Sequence, residues 1–262
     1  MTRWYCPVTI IGCLMSLSVV AAASEWTSTA PVSTDAVAGF WLGVYGGGAV
    51  ADPSGTYAIS SASLAGAPSV IAGLDAAGSH AISTGGAVFG VQGGWTAKLH
   101  SNFVFGVEGD FGRYGLQGSR AISGIVPVFG IPFSINQSIS ANWQGSLRLR
   151  AGYAVTDLAL VFVEAGPTLA DVHYTSAFWD AASETEYKSI QAIKFGVSVG
   201  AGAEFALTRN VTVRAEYLFS RFPSATGNGA SLLSDGTTAY IAHSSGAIDQ
   251  SAFRVGLSYY LK

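Results

Sequence analysis

The phrase VFGVQGGW (Val88–Trp95) returns sixteen residues later as VFGVEGDF (Val104–Phe111). Both copies alternate with period two, and neither shows helical periodicity. Phe89, Val91 and Trp95 fall on one side, and Gly90, Gln92 and Gly94 on the other. In the second copy Phe105, Val107 and Phe111 oppose Gly106, Glu108 and Asp110. Such alternation is the pattern of a strand. The spacing is shorter than a solenoid repeat. The stretch TAKLHSN between the copies ends one strand and turns into the next, so the phrase is read as two arms of one hairpin.

Composition decides which solvents the two faces meet. Charged residues make up only 11% of the chain, mean hydropathy is +0.38, and 33 of 262 residues are glycine. A soluble domain of this size carries about 25% charged residues. Beyond the extreme N-terminus, however, no segment offers the roughly 20 apolar residues of a membrane helix. An apolar chain without a spanning helix points to a membrane β-barrel, where apolar residues occupy alternate positions.

Residues 1–23 read as an export signal, with Arg3, an apolar run, and cleavage expected after Ala21, Ala22 and Ala23. IIGC (Ile10–Cys13) offers a rival reading as a lipoprotein box anchored at Cys13. The apolar run continues well past Cys13, and the segment before the box is very short, which favours the plain signal. Cys6 and Cys13 both lie inside it, so the mature chain is expected to have neither thiol nor disulfide. Without Arg3 the balance is 12 basic to 16 acidic residues, which gives no footprint for nucleic acid. Residues 24–39 are polar and read as a periplasmic linker, leaving 40–262 as the barrel domain.

Eight strands are expected in that domain: Phe40–Asp52, Gly85–Lys98, Asn102–Gly115, Ser138–Ala154, Leu158–Tyr174, Ser189–Ala206, Val211–Phe222 and Asp249–Lys262. Their connections alternate between tight and long. The tight ones fall around His100, Thr156–Asp157 and Thr208–Asn210, and the long ones at 53–84, 116–137, 175–188 and 223–248. The expected fold is therefore all-β: an eight-stranded antiparallel transmembrane up-and-down β-barrel with short periplasmic turns and long external loops. The loop stretch AISGIVPVFGIPFSI (Ala121–Ile135) is unusually apolar. The simpler reading is that strands three and four extend beyond the membrane and pack together; the other is an exposed contact patch.

Parity assigns the faces. Val211, Val213, Ala215, Tyr217 and Phe219 oppose Thr212, Arg214, Glu216 and Ser220. Phe253, Val255, Leu257 and Tyr259 oppose Arg254, Gly256 and Ser258, and Leu147, Leu149, Ala151 and Tyr153 oppose Gln144, Ser146, Arg148 and Arg150. A charge facing lipid near midplane costs about 2–4 kcal/mol, so the charged face is the lumen. Trp95, Phe103, Tyr153 and Tyr259 suit an interfacial aromatic girdle. Both faces of strand one are apolar or glycine, and its register stays open. Hairpins pivoting on Thr156 and Arg209, with a last loop centred on Asp235, place Arg148 opposite Glu164, Arg214 opposite Glu204, and Arg254 opposite Glu216. Eight strands leave an interior just wide enough for side chains, so a plugged core filled by paired charged side chains is expected.

WQGSLRLRAGYAVTDLALVFVEAG (Trp143–Gly166), GAGAEFALTRNVTVRAEYLFSRF (Gly200–Phe222), FRVGLSYYL (Phe253–Leu261) and the opening FWLGVYGGGAVA resemble the porin-like small outer-membrane proteins of alphaproteobacteria. These share an OmpA-like eight-stranded barrel domain. The resemblance implies an integral outer-membrane protein, abundant at the surface, structural or weakly porin-like, without a known catalytic set. It implies outer-membrane lipids and lipopolysaccharide as surroundings, and the barrel-assembly machinery as a partner through the C-terminal strand. Such chains usually close on an aromatic; here Leu261 holds that slot and Lys262 follows, a departure that bears on insertion.

No residue is nominated as catalytic, cofactor-binding or metal-ligating, and no cofactor is expected. GVSVG (Gly196–Gly200) matches a nucleophile elbow, but that motif needs a strand-to-helix turn and this one lies inside a strand. GGGAVA (Gly46–Ala51) fits a loose dinucleotide fingerprint, but Asp52-Pro53 follows where a helix would begin. His80, His100, His173 and His243 lack metal-ligand spacing. The sequons at Asn136 and Asn210 carry no weight in a bacterial barrel. Three functions stay open: a structural or surface barrel, an adhesion or partner-binding barrel acting through its external loops, and a lipid-modifying enzyme using His173 or His243 with a nearby serine.

Overall fold

The computed structural model describes residues 38–53, 56–60, 72, 82–99, 102–125, 132–180, 185–223, 227–232, 238–245 and 247–261. The expected signal and almost all of the expected linker lie outside these residues, as do Cys6, Cys13, His80 and His100.

Eleven strands are described: β1 (Gly39–Pro53), β2 (Thr56–Ser60), β3 (Thr84–Lys98), β4 (Phe103–Ile125), β5 (Pro132–Ala154), β6 (Ala159–Asp180), β7 (Thr185–Ala206), β8 (Val211–Phe222), β9 (Gly227–Leu232), β10 (Thr238–Ser245) and β11 (Ile248–Leu261). Eight of them close into a barrel in the order β1-β11-β8-β7-β6-β5-β4-β3, with every neighbouring pair antiparallel. Closure leaves no open sheet edge in the hydrocarbon, which a lipid-embedded sheet requires. The repeated phrase does form adjacent strands, with Val91 across from Phe111 and Trp95 across from Val107. β2, β10 and β9 form a separate three-stranded sheet from the first and last long connections, where the sequence pattern predicts loops.

Two of the tight turns share one chemistry. Val155 N–H donates to Ala159 O at 2.9 Å, and Leu207 N–H to Val211 O at 2.9 Å, each enclosing three residues. The first enclosed residue is threonine in both. Thr156 Oγ1 accepts from the N–H groups of Leu158 and Ala159, and Thr208 Oγ1 from those of Asn210 and Val211. The hydroxyl thereby does what an Asx or ST turn does for free donors. The first hairpin thus pivots on Asp157, not on Thr156. Arg150, rather than Arg148, is the cross-strand partner of Glu164, a correction of two residues. The other two registers stand: Glu204 pairs with Arg214, and Glu216 with Arg254.

The barrel is inverted relative to a soluble protein. Leu42, Leu149, Phe195 and Phe253 are exposed outside, while Arg148, Arg214 and Arg254 are among the most buried side chains. The aromatics expected in the girdle, Trp95, Phe103, Tyr153 and Tyr259, do stand on the outer surface. β1 resolves in favour of its odd positions facing inward: Trp41, Tyr45 and Ala49 are buried, and Phe40, Leu42 and Val44 exposed. Glycine makes this register fit. A Cβ on Gly112 would lie 2.2 Å from Tyr45 Oη, and one on Gly90 2.6 Å from it. The Tyr45 phenol therefore lies over wall positions that have no side chain.

β4 and β5 pair continuously to Ile125 and Pro132, and β6 and β7 to Trp179 and Thr185. Ala121–Ile125 and Pro132–Ile135 of the apolar second connection are thus strand extended above the barrel wall, in line with the simpler reading, while residues 126–131 lie outside the described residues. The register shifts between Arg113 and Leu116 on β4 and between Ala141 and Gln144 on β5, at the level where these strands leave the barrel wall.

Candidate functional site

Solute passage through a closed barrel has to run along its lumen, and the lumen is where most buried ionisable side chains of the described residues gather. Six strands send ionisable side chains into it: Glu108 and Asp110 from β4, Arg148 and Arg150 from β5, Glu164 from β6, Glu204 from β7, Arg214 and Glu216 from β8, and Arg254 from β11. All nine are buried.

The contacts form one mesh rather than separate pairs. Glu108 takes Arg148 Nη2 at 2.8 Å and Arg214 Nη2 at 2.9 Å. Arg148 reaches Asp110 at 2.6 Å with Nη1 and Glu164 at 3.3 Å with Nε. Arg214 Nη2 also meets Glu216 at 2.7 Å. Arg254 donates to Glu216 through Nε at 2.6 Å and meets Asp110 at 3.2 Å. Glu204 is held by Arg150, by Thr212 Oγ1 at 2.7 Å and by Tyr260 Oη at 2.8 Å. Aromatic rings complete the cage: the guanidinium carbon of Arg150 is 3.8 Å from the Phe162 centroid, and that of Arg254 is 4.2 Å from Tyr45.

The sequence thus names the right charges but not every partner. Arg148 does contact Glu164, although it is not its cross-strand neighbour. Arg214 is the cross-strand neighbour of Glu204, yet its guanidinium turns to Glu108 and Glu216, and Glu204 goes to Arg150. Long arginine side chains reach across the lumen to strands that are not adjacent, and sequence parity carries no information about that third dimension.

Oxygens of Glu108, Glu164 and Glu216 lie within 4.8 Å of one another, a spacing that would suit a cation. Arg214 Nη2 fills that position, standing 2.9, 3.6 and 2.7 Å from the three carboxylates. The group is therefore accounted for as part of the ion mesh, not as a metal centre.

Above and below the mesh the lumen is closed by other chemistry, which sequence reading missed. Toward the tight turns, Trp41, Val104, Ala154, Leu160 and Tyr260 form an apolar floor. Toward the long connections comes a neutral layer in which Gln250 Nε2 donates to Gln144 Oε1 at 2.8 Å and Ser198 meets Ser220 at 2.9 Å. Above that is an apolar roof of Ala49, Val88, Tyr114, Leu116 and Leu218, continued by Ala170, Val172 and Phe222. The void recorded in the roof is about 20 Å³, room for little more than one water. The signal for these layers was present in the inward residues of β1 and β11, but β1 is apolar on both faces.

The residues weighed for catalysis fall in separate places. Ser198 of GVSVG is buried within β7 and bonded to Ser220. His173 lies outside the mesh, with Nε2 3.1 Å from Asp171 Oδ2, a carboxylate that also accepts from Gln191 and Asn142. The side chain of His243 is outside the described residues. Asn210 belongs to a tight turn, and its amide donates to Tyr260 O at 2.8 Å.

Residues 9–260 match the family described as the outer membrane protein beta-barrel domain. The 31 kDa outer-membrane immunogenic protein of Brucella melitensis biotype 1 is 30% identical over 209 residues, covering 79% of this chain and 80% of that one. The 22 kDa outer membrane protein of Rhizobium leguminosarum bv. viciae is 30% identical over 187 residues, covering 71% and 67%. Among solved structures, Neisserial surface protein A aligns at 12% identity with a TM-score of 0.37, covering 86% of this chain and 98% of that one.

Proposed function

The chain belongs to the outer-membrane protein β-barrel family and resides in the outer membrane, and from that premise we propose that it is a closed structural barrel of the cell surface rather than a channel. The observation that carries this reading is the layered lumen: apolar floor, ion mesh, amide and hydroxyl layer, apolar roof. A hydrated ion or sugar entering from either end meets packed apolar side chains first. Beyond them stand charges already committed to one another. Opening a path would strip hydrogen-bonded ions of their partners, and leaving one such charge unpaired typically costs about 3–5 kcal/mol. The weakly porin-like role implied by the resemblance finds no support in this arrangement.

A catalytic role for the GVSVG motif has equally little behind it. A nucleophile needs a base within hydrogen-bond reach and an approach for substrate. Ser198 has only another hydroxyl as neighbour and no access from outside the lumen. The relatives are named as outer-membrane proteins, and non-enzymatic surface duty is the reading that fits the site.

The test is solute entry. Full-length protein is reconstituted into vesicles, and their swelling is followed in an isotonic solution of a small neutral sugar. Swelling at the rate of protein-free vesicles is expected. A rate that rises in proportion to the amount of folded barrel overturns the proposal.

A further inference from the structure

The ion mesh does not balance. It draws on five carboxyl groups, Glu108, Asp110, Glu164, Glu204 and Glu216, and on four guanidinium groups, Arg148, Arg150, Arg214 and Arg254. Arginine is always charged, so full ionisation would leave one uncompensated negative charge in the lumen. Such a charge is expensive where water is excluded.

The hydrogen bonds single out the carboxyl that carries the excess. Glu108 accepts from Arg148 Nη2 at 2.8 Å and from Arg214 Nη2 at 2.9 Å. Asp110 accepts from Ser146 Oγ and from Arg254 Nη1 at 3.2 Å. Glu204 accepts from Arg150, Thr212 and Tyr260, and Glu216 from Arg214 and Arg254. Both oxygens of Glu164 are buried and accept no hydrogen bond among the described residues. The guanidiniums that face it stand at 3.3 Å (Arg148 Nε, from β5) and 3.6 Å (Arg214 Nη2, from β8). Each is held more closely by other acids, Arg148 by Glu108 and Asp110, and Arg214 by Glu108 and Glu216. Oxygens of Glu108, from β4, and Glu216, from β8, come within 4.8 Å of Glu164. β7 meets it with a glycine: a Cβ on Gly200 would lie 3.0 Å from Glu164 Oε1. Glu164 therefore faces two other acids and two arginines already engaged.

We propose that the mesh binds one proton, carried by Glu164, and that this proton helps to lock the closed lumen. Acids crowded into one buried site do not all ionise together. A neutral Glu164 leaves four negative charges against four positive ones. It also gains an O–H, which can donate toward Glu108 or Glu216. The direction of the pH dependence follows. The unfolded chain sheds this proton above about pH 5, whereas the folded mesh keeps it. Folding therefore takes up a proton, and the folded state loses stability as pH rises. The inference rests on the closed lumen, because a water-filled one would let Glu164 ionise. Vesicle swelling reports on closure and the carboxyl group on the proton, so the two readings can fail separately.

The test is infrared spectroscopy of the full chain folded into bilayers of ether-linked phospholipid, which carries no ester carbonyl, in heavy water at neutral pH. Wild type should show the C=O stretch of a protonated carboxyl group. Glu164→Gln should lose it, and Asp157→Asn, in an exposed turn, should keep it. Glu164→Gln copies the neutral acid and should fold, which the heat-dependent gel shift of the intact barrel verifies. Urea titration over a pH series gives the second readout. Relative to Glu164→Gln, the folded-to-unfolded ratio of wild type should fall about tenfold per pH unit until the mesh gives up its proton. Absence of the protonated-carboxyl band from wild type overturns the proposal, and that result needs no variant. A band that persists in Glu164→Gln overturns it by placing the proton elsewhere. So does the same pH dependence in wild type and Glu164→Gln. So does wild-type stability that follows sodium or potassium concentration instead of pH, which would assign the missing charge to a bound metal cation.

Discussion

Replacing Arg150 by alanine removes the guanidinium that contacts Glu204. Glu204 keeps Thr212 Oγ1 at 2.7 Å and Tyr260 Oη at 2.8 Å, so an ionised carboxylate is left with two neutral donors in a lumen that excludes water. Breaking one side of a buried ion pair costs about 3–5 kcal/mol, and these two donors place the loss toward the lower end. Glu204→Ala is the milder change. Arg150 then still has Glu108 at 3.9 Å and the Phe162 ring at 3.8 Å from its guanidinium carbon. Because the two residues touch, the double variant should recover part of the summed loss, with a coupling of about 1–3 kcal/mol. Arg214 with Glu204 is the informative control. They are cross-strand neighbours, yet Arg214 is engaged by Glu108 and Glu216. Their coupling should be smaller, under about 1 kcal/mol. The assay is folding into bilayers of one composition, followed by urea titration with the gel shift as a second probe. A larger coupling for Arg214 with Glu204 than for Arg150 with Glu204 would refute the idea that reach across the lumen, not strand pairing, selects the partners.

Val107→Lys sets a charge on the lipid-facing surface and should cost about 2–4 kcal/mol in the same titration. Glu108→Gln keeps the shape but strips Arg148 and Arg214 of their shared anion, so it should prove at least as damaging, and a near-silent Glu108→Gln would contradict the mesh. Gly112→Ala should reduce the folded fraction seen by gel shift, because the new methyl meets Tyr45 Oη at 2.2 Å and Phe89 O at 2.7 Å; partial rescue by Tyr45→Ala is expected. Protease added to intact cells should cut within 53–84 or 223–248, and cleavage at Val155–Leu158 or Leu207–Asn210 would invert the topology.

Period-two alternation made most of the barrel legible, since a strand with lipid on one side and a polar lumen on the other must alternate at every step. Val211–Phe222 is the clearest case, found with the bounds the pattern implies because apolar and ionised residues take turns along it. Where both faces are apolar, as in β1, alternation carries no signal, and the inward register of Tyr45 depends on glycines one and two strands around the wall, Gly90 on β3 and Gly112 on β4. The slip at Arg148 came from the turn: a pivot on Thr156 sets Arg148 against Glu164, but the Thr156 hydroxyl organises a three-residue loop centred on Asp157. The three-stranded sheet of β2, β9 and β10 was illegible for a different reason. Its segments are rich in Ser, Ala, Gly and Thr, and carry no contrast between apolar and ionised positions. In the lumen, charge identity was legible and partner identity was not, because arginine reach is set by the barrel's width rather than by sequence spacing.

Planar-bilayer recording on purified, folded barrel tests the closed lumen most directly. With voltage applied across a membrane holding many inserted copies, the layered floor, mesh and roof predict a current indistinguishable from that of the bare bilayer. Discrete, reproducible steps that scale with the number of folded barrels would mean that ions pass through, and the closed structural barrel would be wrong.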